Sequence, residues 1–330
     1  MRESTFVTAM LLAVAASLAT AATSDVPRFG FLLIEPGGRP GGIGKSFTGL
    51  ADDVHAAYYN PGGIALLERN AVSIMHEPRG TDTVGDIFYD YVAFSYGAGK
   101  FGTFGLDVVY SDAGKSKMVD ENNNDLGYMH VYGAAPSLYW SYPLRHDLGL
   151  GAGMTYAYEH LTDAQGGTED ALLFNVGALY QTPLRGLSCG VALVKLGGND
   201  ASSRYSEIEN SAADVSFAPP RSARLGVAYN FLESDLNSLT VVADGSKLLM
   251  NLGDGAGEEL AQGVYSGGLE YVYAKMVAVR GGYYYDEYGE IDGMTLGFGF
   301  NYKGLSFDYG RVPEGELFQD RNRFAVGYAF

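Results

Sequence analysis

The sequence has 330 residues and a formal net charge of −17 at pH 7. Proteins that bind nucleic acid present a basic surface, so this acidity argues against that class. Glycine (46 residues) and tyrosine (25 residues) are abundant, whereas lysine and arginine together number 22. This composition differs from the Ala-, Leu-, Glu- and Lys-rich helices of a nucleotide-binding α/β protein. The single cysteine, Cys189, excludes an internal disulfide.

The chain begins with an apolar stretch, Phe6 to Ala19, that ends in the small residues Ala19-Thr20-Ala21. The stretch is shorter than the ~20 residues that a helix needs to cross a bilayer. A short apolar segment before a small-residue cleavage site is typical of a secretory signal peptide. We therefore predict that residues 1–21 are a signal peptide and that the mature chain is exported.

The stretch Gly37 to Phe47 looks at first like the phosphate loop of an ATPase, because it combines several glycines with Gly44-Lys45-Ser46. The phosphate-loop spacing requires a glycine at position 39, where this chain has Arg39. Pro40 removes a backbone N–H donor as well. We therefore expect no nucleotide and no other cofactor here, and we interpret Lys45 as an ordinary polar residue.

Residues 22–68 show no regular alternation of apolar and polar residues. Phe47 to Leu67 reads as a short helix capped by Thr48, a break at Asn60-Pro61-Gly62-Gly63, and a second short helix. The segment is too short for a separate domain. We expect it to pack as a hatch or plug inside the strands that follow, or against their mouth.

The rest of the chain alternates with period 2, which indicates β-strands. In Leu148 to Glu159, large apolar residues occupy one face and small residues the other over twelve positions. Strands of soluble proteins usually have ~5–6 residues, whereas tilted membrane-spanning strands need ~9–11. About fourteen such segments occur, at 70–77, 87–97, 101–111, 131–142, 147–160, 171–182, 186–197, 221–231, 237–249, 263–273, 275–286, 292–302, 304–311 and 322–330.

Short connections alternate loosely with long polar ones, as in bacterial outer-membrane barrels. The chain also ends on a strand with an aromatic residue, Phe330, like the terminal strand of such barrels. We predict an all-β fold: a transmembrane antiparallel barrel of about fourteen strands over residues 69–330, in the outer membrane of a Gram-negative-type cell. The alternative is a secreted, soluble β-sandwich, whose strands would be shorter and whose outer face would be polar.

The hatch segment carries a family resemblance. Gly38-Arg39, Gly42-Ile43-Gly44, Phe47 to Asp53 and Ala56 to Pro61 resemble the N-terminal signature of the PorV/PorQ family, which belongs with the FadL-type fatty-acid transporters. Pro219 to Gly226, Gly268 to Tyr271, Val279 to Tyr283 and Phe307 to Tyr309 are similar too. Asp52, Asp53, Asn60 and Pro61 form the most specific part. The family usually has alanine where this chain has Gly62, which we expect to loosen the turn. The resemblance implies a fourteen-stranded barrel with an N-terminal hatch.

Several charged residues fall on the small-residue face and are therefore expected in the lumen: Asp244, Glu270, Arg280 and Asp308, with Arg224 nearby. Pairing across a tight turn at Ala274-Lys275 would place Glu270 and Arg280 diagonally on one face. One interpretation is an ion-pair network that stabilises the wall. The other is a polar step in a substrate path.

The sequence gives little support to catalysis or metal binding. None of the five histidines lies in a recognisable nucleophile motif, so we predict that the protein is not an enzyme. Residues 120–125 partly mimic a calcium loop, but Asp125 replaces the turn glycine and Val131 the bidentate glutamate. A solvated external loop is the preferred interpretation, and weak calcium binding at the cell surface is the alternative.

Two functions remain open. The PorV/PorQ resemblance implies a component of type IX secretion that binds the C-terminal signal domain of secreted cargo proteins and passes them to the attachment machinery. The wider FadL resemblance implies a passive transporter of long-chain fatty acids or other hydrophobic molecules. The resemblance as a whole favours the first, and outer-membrane lipid would surround the barrel in both.

Overall fold

A computed structural model describes residues 27–80, 87–161, 167–198, 201–202, 216–249, 263–287, 289–315 and 320–330. The predicted signal peptide, residues 1–21, lies outside the described residues. Among the described residues, no helix is long and apolar enough to cross a membrane.

The described residues form sixteen strands, of which fourteen build the barrel. The barrel strands are β1 (Ala71–Pro78), β2 (Phe88–Gly97), β3 (Thr103–Val119), β4 (Asp125–Arg145), β5 (Leu148–His160), β6 (Thr168–Gln181), β7 (Leu187–Gly197), β10 (Ser222–Glu233), β11 (Asn237–Leu248), β12 (Val264–Tyr273), β13 (Val277–Asp286), β14 (Ile291–Tyr302), β15 (Leu305–Val312) and β16 (Arg321–Ala329). The two-residue strands β8 (Ala201–Ser202) and β9 (Ser216–Phe217) pair with each other outside the barrel.

The barrel is closed by antiparallel pairing of its first and last strands. Each barrel strand pairs with its neighbours along the chain, β7 pairs with β10, and β1 pairs with β16 from Ala71↔Ala329 to His76↔Phe324. Closure removes every free sheet edge, which is the condition for strands to cross a lipid bilayer. The predicted fold class and the count of fourteen strands are confirmed.

The two faces of the wall differ as the alternation predicts. In β5, Met154 and Tyr156 point outward and are exposed, whereas Thr155 and Ala157 point into the barrel and are buried. Every barrel strand exposes at least one large apolar side chain outward. An apolar surface of this extent is unsuited to water and matches the lipid-facing band of a membrane barrel.

The two ends of the barrel differ in their connections. At the short-turn end, strands are joined by brief turns such as 146–147 and 303–304, and residues 70 and 330 lie there too. At the long-loop end, connections such as 198–221 and 249–263 are longer. By analogy with bacterial outer-membrane barrels, the short-turn end is the periplasmic one.

One long connection is shorter than predicted. Residues 112–130 were expected to form a loop, but β3 continues to Val119 and β4 begins at Asp125, so that only a tight turn remains. The Asp120 carboxylate accepts hydrogen bonds from the backbone N–H groups of Asn122 and Asn124 and organises this turn. The sequence did not predict this extension of β3 and β4. A two-stranded ribbon that projects beyond the membrane carries polar residues on both faces, so it lacks the apolar face by which the other strands were recognised.

Residues 27–70, the plug, precede β1 and contain little helix. The helices are Gly38–Gly42 and Ala56–Tyr59, with 3₁₀ turns at Gly30–Leu33 and Gly63–Leu66 and a further 3₁₀ turn at Gly99–Phe101 in the β2–β3 connection. The predicted break at Asn60 between two short helical pieces is present, but the predicted cap at Thr48 is wrong: residues 48–50 form a turn and the helix begins only at Ala56. The Thr48 N–H donates to Asp244 Oδ2 of β11 at 2.6 Å, so this turn is bonded to the wall.

The plug lies inside the barrel, because it bonds to strands on all sides of the lumen. Bonds reach β14 (Gly44 N–H to Thr295 Oγ1, 2.8 Å), β7 (Ser188 Oγ to the Gly49 carbonyl, 2.7 Å) and β4 (Ser141 Oγ to the Pro61 carbonyl, 2.6 Å). Its first described residues lie towards the long-loop end, where the Arg28 N–H donates to the Ala218 carbonyl. The plug therefore runs the length of the lumen before it joins β1.

Candidate functional site

The hatch motif places two acidic residues against one arginine. Arg39 Nη1 donates to Asp52 Oδ1 at 2.6 Å and to Asp53 Oδ2 at 2.9 Å. Asp53 Oδ1 also lies 2.9 Å from His55 Nδ1. Burial opposes ionisation of Asp53, but His55 and Arg39 outweigh that effect and hold the pKa of Asp53 below its usual value. Asp52 and Asp53 are therefore bound within the plug.

The same arginine reaches the barrel wall. Arg39 donates two hydrogen bonds to the Glu270 carboxylate of β12, and Arg280 of β13 donates to Glu270 Oε2 at 2.6 Å and to Asp308 Oδ1 of β15 at 2.7 Å. We call Arg39, Asp52, Asp53, Glu270, Arg280 and Asp308 the ion-pair network. The structure brings three of the four predicted lumen charges together here.

Two details of the predicted charge network differ. Glu270 and Arg280 stand directly opposite each other, not diagonally, because the turn spans 274–276 and Tyr273 pairs with Val277. Asp244 lies apart from the network and accepts from the Thr48 N–H.

Asn60 and Pro61 fix the plug to the opposite wall. Asn60 Nδ2 donates to the carbonyl of Thr48 at 2.9 Å and to that of Ala178 on β6 at 3.0 Å, and Asn60 Oδ1 accepts the Gly62 N–H. Asn60 is fully buried. This amide therefore holds the turn and docks it to the barrel at the same time.

The sequence suggested that Gly62 would loosen the turn, but the structure shows a close contact at this position instead. A Cβ at this position would lie 2.7 Å from the Ala178 Cα, so the backbone of the turn packs directly on β6. An alanine here would have to displace either the plug or the wall. Gly62, which departs from the PorV/PorQ pattern, therefore allows the turn to pack directly on β6.

The plug divides the lumen into two spaces. At the short-turn end, a vestibule of about 900 Å³ opens between the plug and the wall and is bordered by the whole ion-pair network. At the long-loop end, a cavity of about 230 Å³ lies between the plug and strands on several sides of the barrel. Between them, the plug is bonded to the wall at Thr295, Ser188 and Ser141.

The long-loop cavity combines apolar walls with an excess of cations. Its apolar lining includes Leu33, Ile34, Val264, Ile291 and Val312. Among the described residues, six basic and four acidic side chains also line it: Lys45, Arg79, Lys195, Arg224, Arg321, Arg323, Glu35, Glu77, Asp286 and Glu314. In a chain with a net charge of −17, a described lining with more basic than acidic side chains indicates a local preference for negative charge.

Lys45 is not the ordinary polar residue that the sequence suggested. Its side chain is buried, and its ammonium lies 3.7 Å from the ring centroid of Tyr284 on β13. Burial lowers the pKa of Lys45 to about 8, with a further lowering by Arg323. Lys45 also has a backbone φ of 63°, so the strained turn at Gly44-Lys45 directs this side chain to the cavity.

Arg224 is the second cation of interest in the cavity. Its Nη2 pairs with Glu35 Oε1 at 3.1 Å, and its guanidinium lies 5.4 Å from the Tyr58 ring. Its Nε and Nη1 atoms are buried without a hydrogen-bond partner among the described residues. Because buried N–H donors are nearly always satisfied in folded proteins, these two atoms indicate a place for an acceptor.

Sequence reasoning missed a buried ion pair that closes the barrel. Arg323 of β16 donates to Glu77 of β1 at 2.5 Å, and both side chains are almost completely buried. The signal was present, since each residue falls on the inward face of its strand next to the seam. The position of a residue on the inward face of a strand would not have revealed Lys45 or Lys195 as buried cations. Their burial depends on which distant part of the chain packs against them.

Ser73, His55 and Asp53 form a Ser–His–Asp arrangement beside the vestibule. His55 Nε2 lies 3.4 Å from Ser73 Oγ, and His55 Nδ1 lies 2.9 Å from Asp53. The N–H groups around Ser73 belong to a strand paired on both sides, with β2 and β16. The ladder leaves no backbone donors there for an oxyanion, which acyl transfer requires. Among the described residues, no group of three or more metal-ligating side chains occurs either.

The sequence model described as "Uncharacterised protein family (UPF0164)" matches residues 7–178, just over half of the chain. The chain belongs to the UPF0164 family. No curated protein matches this UPF0164 member in sequence.

The fold of this UPF0164 protein is that of FadL-type outer-membrane barrels. It is similar to the toluene transporter TbuX of Ralstonia pickettii (TM-score 0.58, 13% identity, 89% of this chain and 98% of that one). It is also similar to the toluene transporter TodX of Pseudomonas putida (TM-score 0.55, 12% identity, 93% of this chain and 99% of that one). A FadL homologue of Pseudomonas aeruginosa is similar too (TM-score 0.54, 13% identity, 89% of this chain and 97% of that one). At these identities the likeness establishes the fold.

Proposed function

We propose that the protein is a non-enzymatic, passive outer-membrane transporter of small hydrophobic acids, of which fatty acids are the simplest class. The observation that carries the proposal is Arg224, a buried guanidinium whose Nε and Nη1 atoms have no hydrogen-bond partner among the described residues, beside a cavity lined by both apolar and charged side chains. Apolar lining combined with convergent polar groups is a common form of a small-molecule site.

The chemistry of the cavity supports an acidic head group over a neutral ligand. A carboxylate offers two acceptor oxygens, which suit the planar donors of an arginine. The Lys45 ammonium contacts the Tyr284 ring face and has no ion-pair partner among the described residues, and Lys45 lines the same cavity. The apolar lining at Leu33 and Val264 would then hold the hydrocarbon part of the ligand.

The shared fold supports transport as the general activity. TbuX and TodX are named as toluene transporters, and toluene has no charge. The cationic lining of this cavity is the feature that favours an acid here. Because the plug is bonded to the wall between the cavity and the vestibule, we expect passive passage through the lumen to require the plug to move.

The test compares two ligands and two variants. The full chain is purified in mild detergent, bound lipids are extracted and identified, and binding of a fatty acid is measured against the alcohol of the same chain length. We expect tighter binding of the acid, and we expect Arg224→Gln to remove most of this preference. Arg311→Gln, which breaks an exposed pair with Asp320, is the control. Equal binding of acid and alcohol would overturn the proposal.

A type IX secretion component is the alternative, and it rests on the PorV/PorQ resemblance of Asp52, Asp53, Asn60 and Pro61. In the structure these residues make hydrogen bonds within the plug and to the barrel wall. Cargo domains that co-purify with the protein after gentle extraction, in place of lipids, would favour this alternative. Cell fractionation tests the outer-membrane location that both functions require.

A further inference from the structure

The outward face of the barrel carries different polar groups at its two ends. At the long-loop end, outward aromatic and histidine side chains contact acidic residues: His76 Nδ1 lies 2.6 Å from Asp90 Oδ1, and the Tyr283 hydroxyl donates to Asp292 at 3.0 Å. At the short-turn end, aromatic rings contact cations instead. The outward face would therefore present different polar contacts to the two leaflets of the membrane.

Three outward cation–aromatic contacts occur among the described residues, and all lie at the short-turn end. Lys100 lies 5.2 Å from the Phe101 ring, and Lys303 lies 5.2 Å from the Tyr302 ring. Arg145 lies 5.8 Å from the Tyr180 ring, although its guanidinium also pairs with Asp147. Lys100 and Lys303 have no ion-pair partner among the described residues.

Lys100 and Lys303 belong to one continuous surface. Lys303 lies in the β14–β15 turn and Lys100 in the β2–β3 turn, and between these turns stand β16 and β1. Exposed rings near this stretch include Phe101, Tyr302, Tyr328 and Phe330, together with Trp140 of the neighbouring β4, whose Nε1 donates to the Phe101 carbonyl. We call Lys100, Lys303 and these five rings the rim arc.

We propose that the rim arc binds the head groups of anionic phospholipids in the leaflet at the short-turn end. Aromatic side chains place themselves at the boundary between hydrocarbon and head groups. A lysine next to such a ring extends its ammonium to the phosphate level while its methylenes stay in the apolar layer. Two unpaired cations on a chain of net charge −17 then give the rim arc a local complementarity to phosphate.

The experiment is native mass spectrometry of the detergent-purified full chain with phosphatidylglycerol and phosphatidylcholine of matched acyl chains. We expect preferential retention of phosphatidylglycerol, weakened in Lys100→Gln and Lys303→Gln by roughly fivefold per cation removed. The Arg variants of both positions should keep the preference, because they keep the charge. Raised salt should reduce it.

Lys117→Gln is the control, because Lys117 is also exposed but lies in the β3–β4 ribbon at the long-loop end and pairs with Asp125. Heat-modifiable migration on gels establishes that each variant is folded. Equal retention of both lipids by the unaltered chain, or an equal loss in Lys117→Gln and in the rim variants, would overturn the proposal.

Discussion

Arg39 of the plug and Glu270 of the barrel wall are joined by two hydrogen bonds, 2.9 Å from Nε and 2.8 Å from Nη2. Glu270 is almost fully buried, and it also accepts a bond from Arg280. The plug is therefore attached to the wall through a carboxylate that the wall itself holds in place. This attachment borders the vestibule, where any movement of the plug would begin.

Replacing Arg39 with Met should release this part of the plug while the barrel stays closed. Removing one partner of a buried ion pair typically costs ~3–5 kcal/mol, and here Glu270 keeps Arg280 as a partner, so we expect the lower end of that range. Hydrogen exchange of residues 38–53 should rise, and exchange in the β1–β16 seam should not.

Arg311→Gln is the control for this experiment, since it breaks an exposed pair that contributes ~0–1 kcal/mol. Unchanged exchange in residues 38–53 of the Arg39 variant would mean that the other bonds of the plug suffice to hold it.

Arg280→Ala should destabilise the wall more than any change in the plug. It leaves the carboxylates of Glu270 and Asp308 facing the same space without the cation that lies between them. We expect a loss of ~3–5 kcal/mol in the free energy of unfolding, measured by urea titration of the refolded barrel. Lower stability with normal uptake of the ligand would identify the ion-pair network as structural. Normal stability with lost uptake would identify it as part of the path.

Gly62→Ala should separate the turn at Asn60-Pro61 from β6. The added Cβ would lie 2.7 Å from the Ala178 Cα, a distance that requires a backbone shift, and such overpacking costs ~1–3 kcal/mol. The shift should weaken the bond from Asn60 to the Ala178 carbonyl, and hydrogen exchange of residues 60–66 reports it. Gly281→Ala is the matched control, because its Cβ meets nothing closer than 4.0 Å. A similar response in both variants would contradict the close fit.

The barrel could be predicted from the sequence because its signal is local and repeated. In β5, Met154 and Thr155 already differ in size and polarity as their two environments require, and the same contrast recurs in each strand. Strand pairing then follows from chain order, since neighbours along the chain pair throughout the barrel except across the β7–β10 connection. Predicting the fold therefore required no knowledge of distant contacts.

The plug and the cavity could not be predicted, because distant residues decide them. Thr48 lies in a turn that is bonded to Asp244 of the wall and does not begin a helix, and Lys45 is buried beside the ring of Tyr284. Partners of this kind lie some 200 residues away, and no period in the sequence connects them. The inward face of a strand can be identified from sequence, but which plug atom meets it cannot.

Lys45 gives the proposed site a dependence on pH. Its pKa is about 8 in the folded protein, against an ordinary value of 10.5. Above about pH 8 the ammonium becomes neutral, so affinity for a fatty acid should fall by roughly tenfold, the loss of one charge-assisted contact of ~1.5 kcal/mol. Binding of the matched alcohol should not change. Isothermal titration between pH 6.5 and 9.5, a range of about three units around that pKa, measures both.

Stability should respond to the same proton with the opposite sign. Between about pH 8 and 10.5 the unfolded chain keeps a proton on Lys45 that the folded chain has lost, so the free energy of unfolding should rise with pH across this window. Lys45→Met should remove both effects, while Lys117→Met, at an exposed site, should remove neither. A fatty-acid affinity that stays constant through pH 8 would show that Lys45 does not face the head group and would leave Arg224 as the only cation assigned to it.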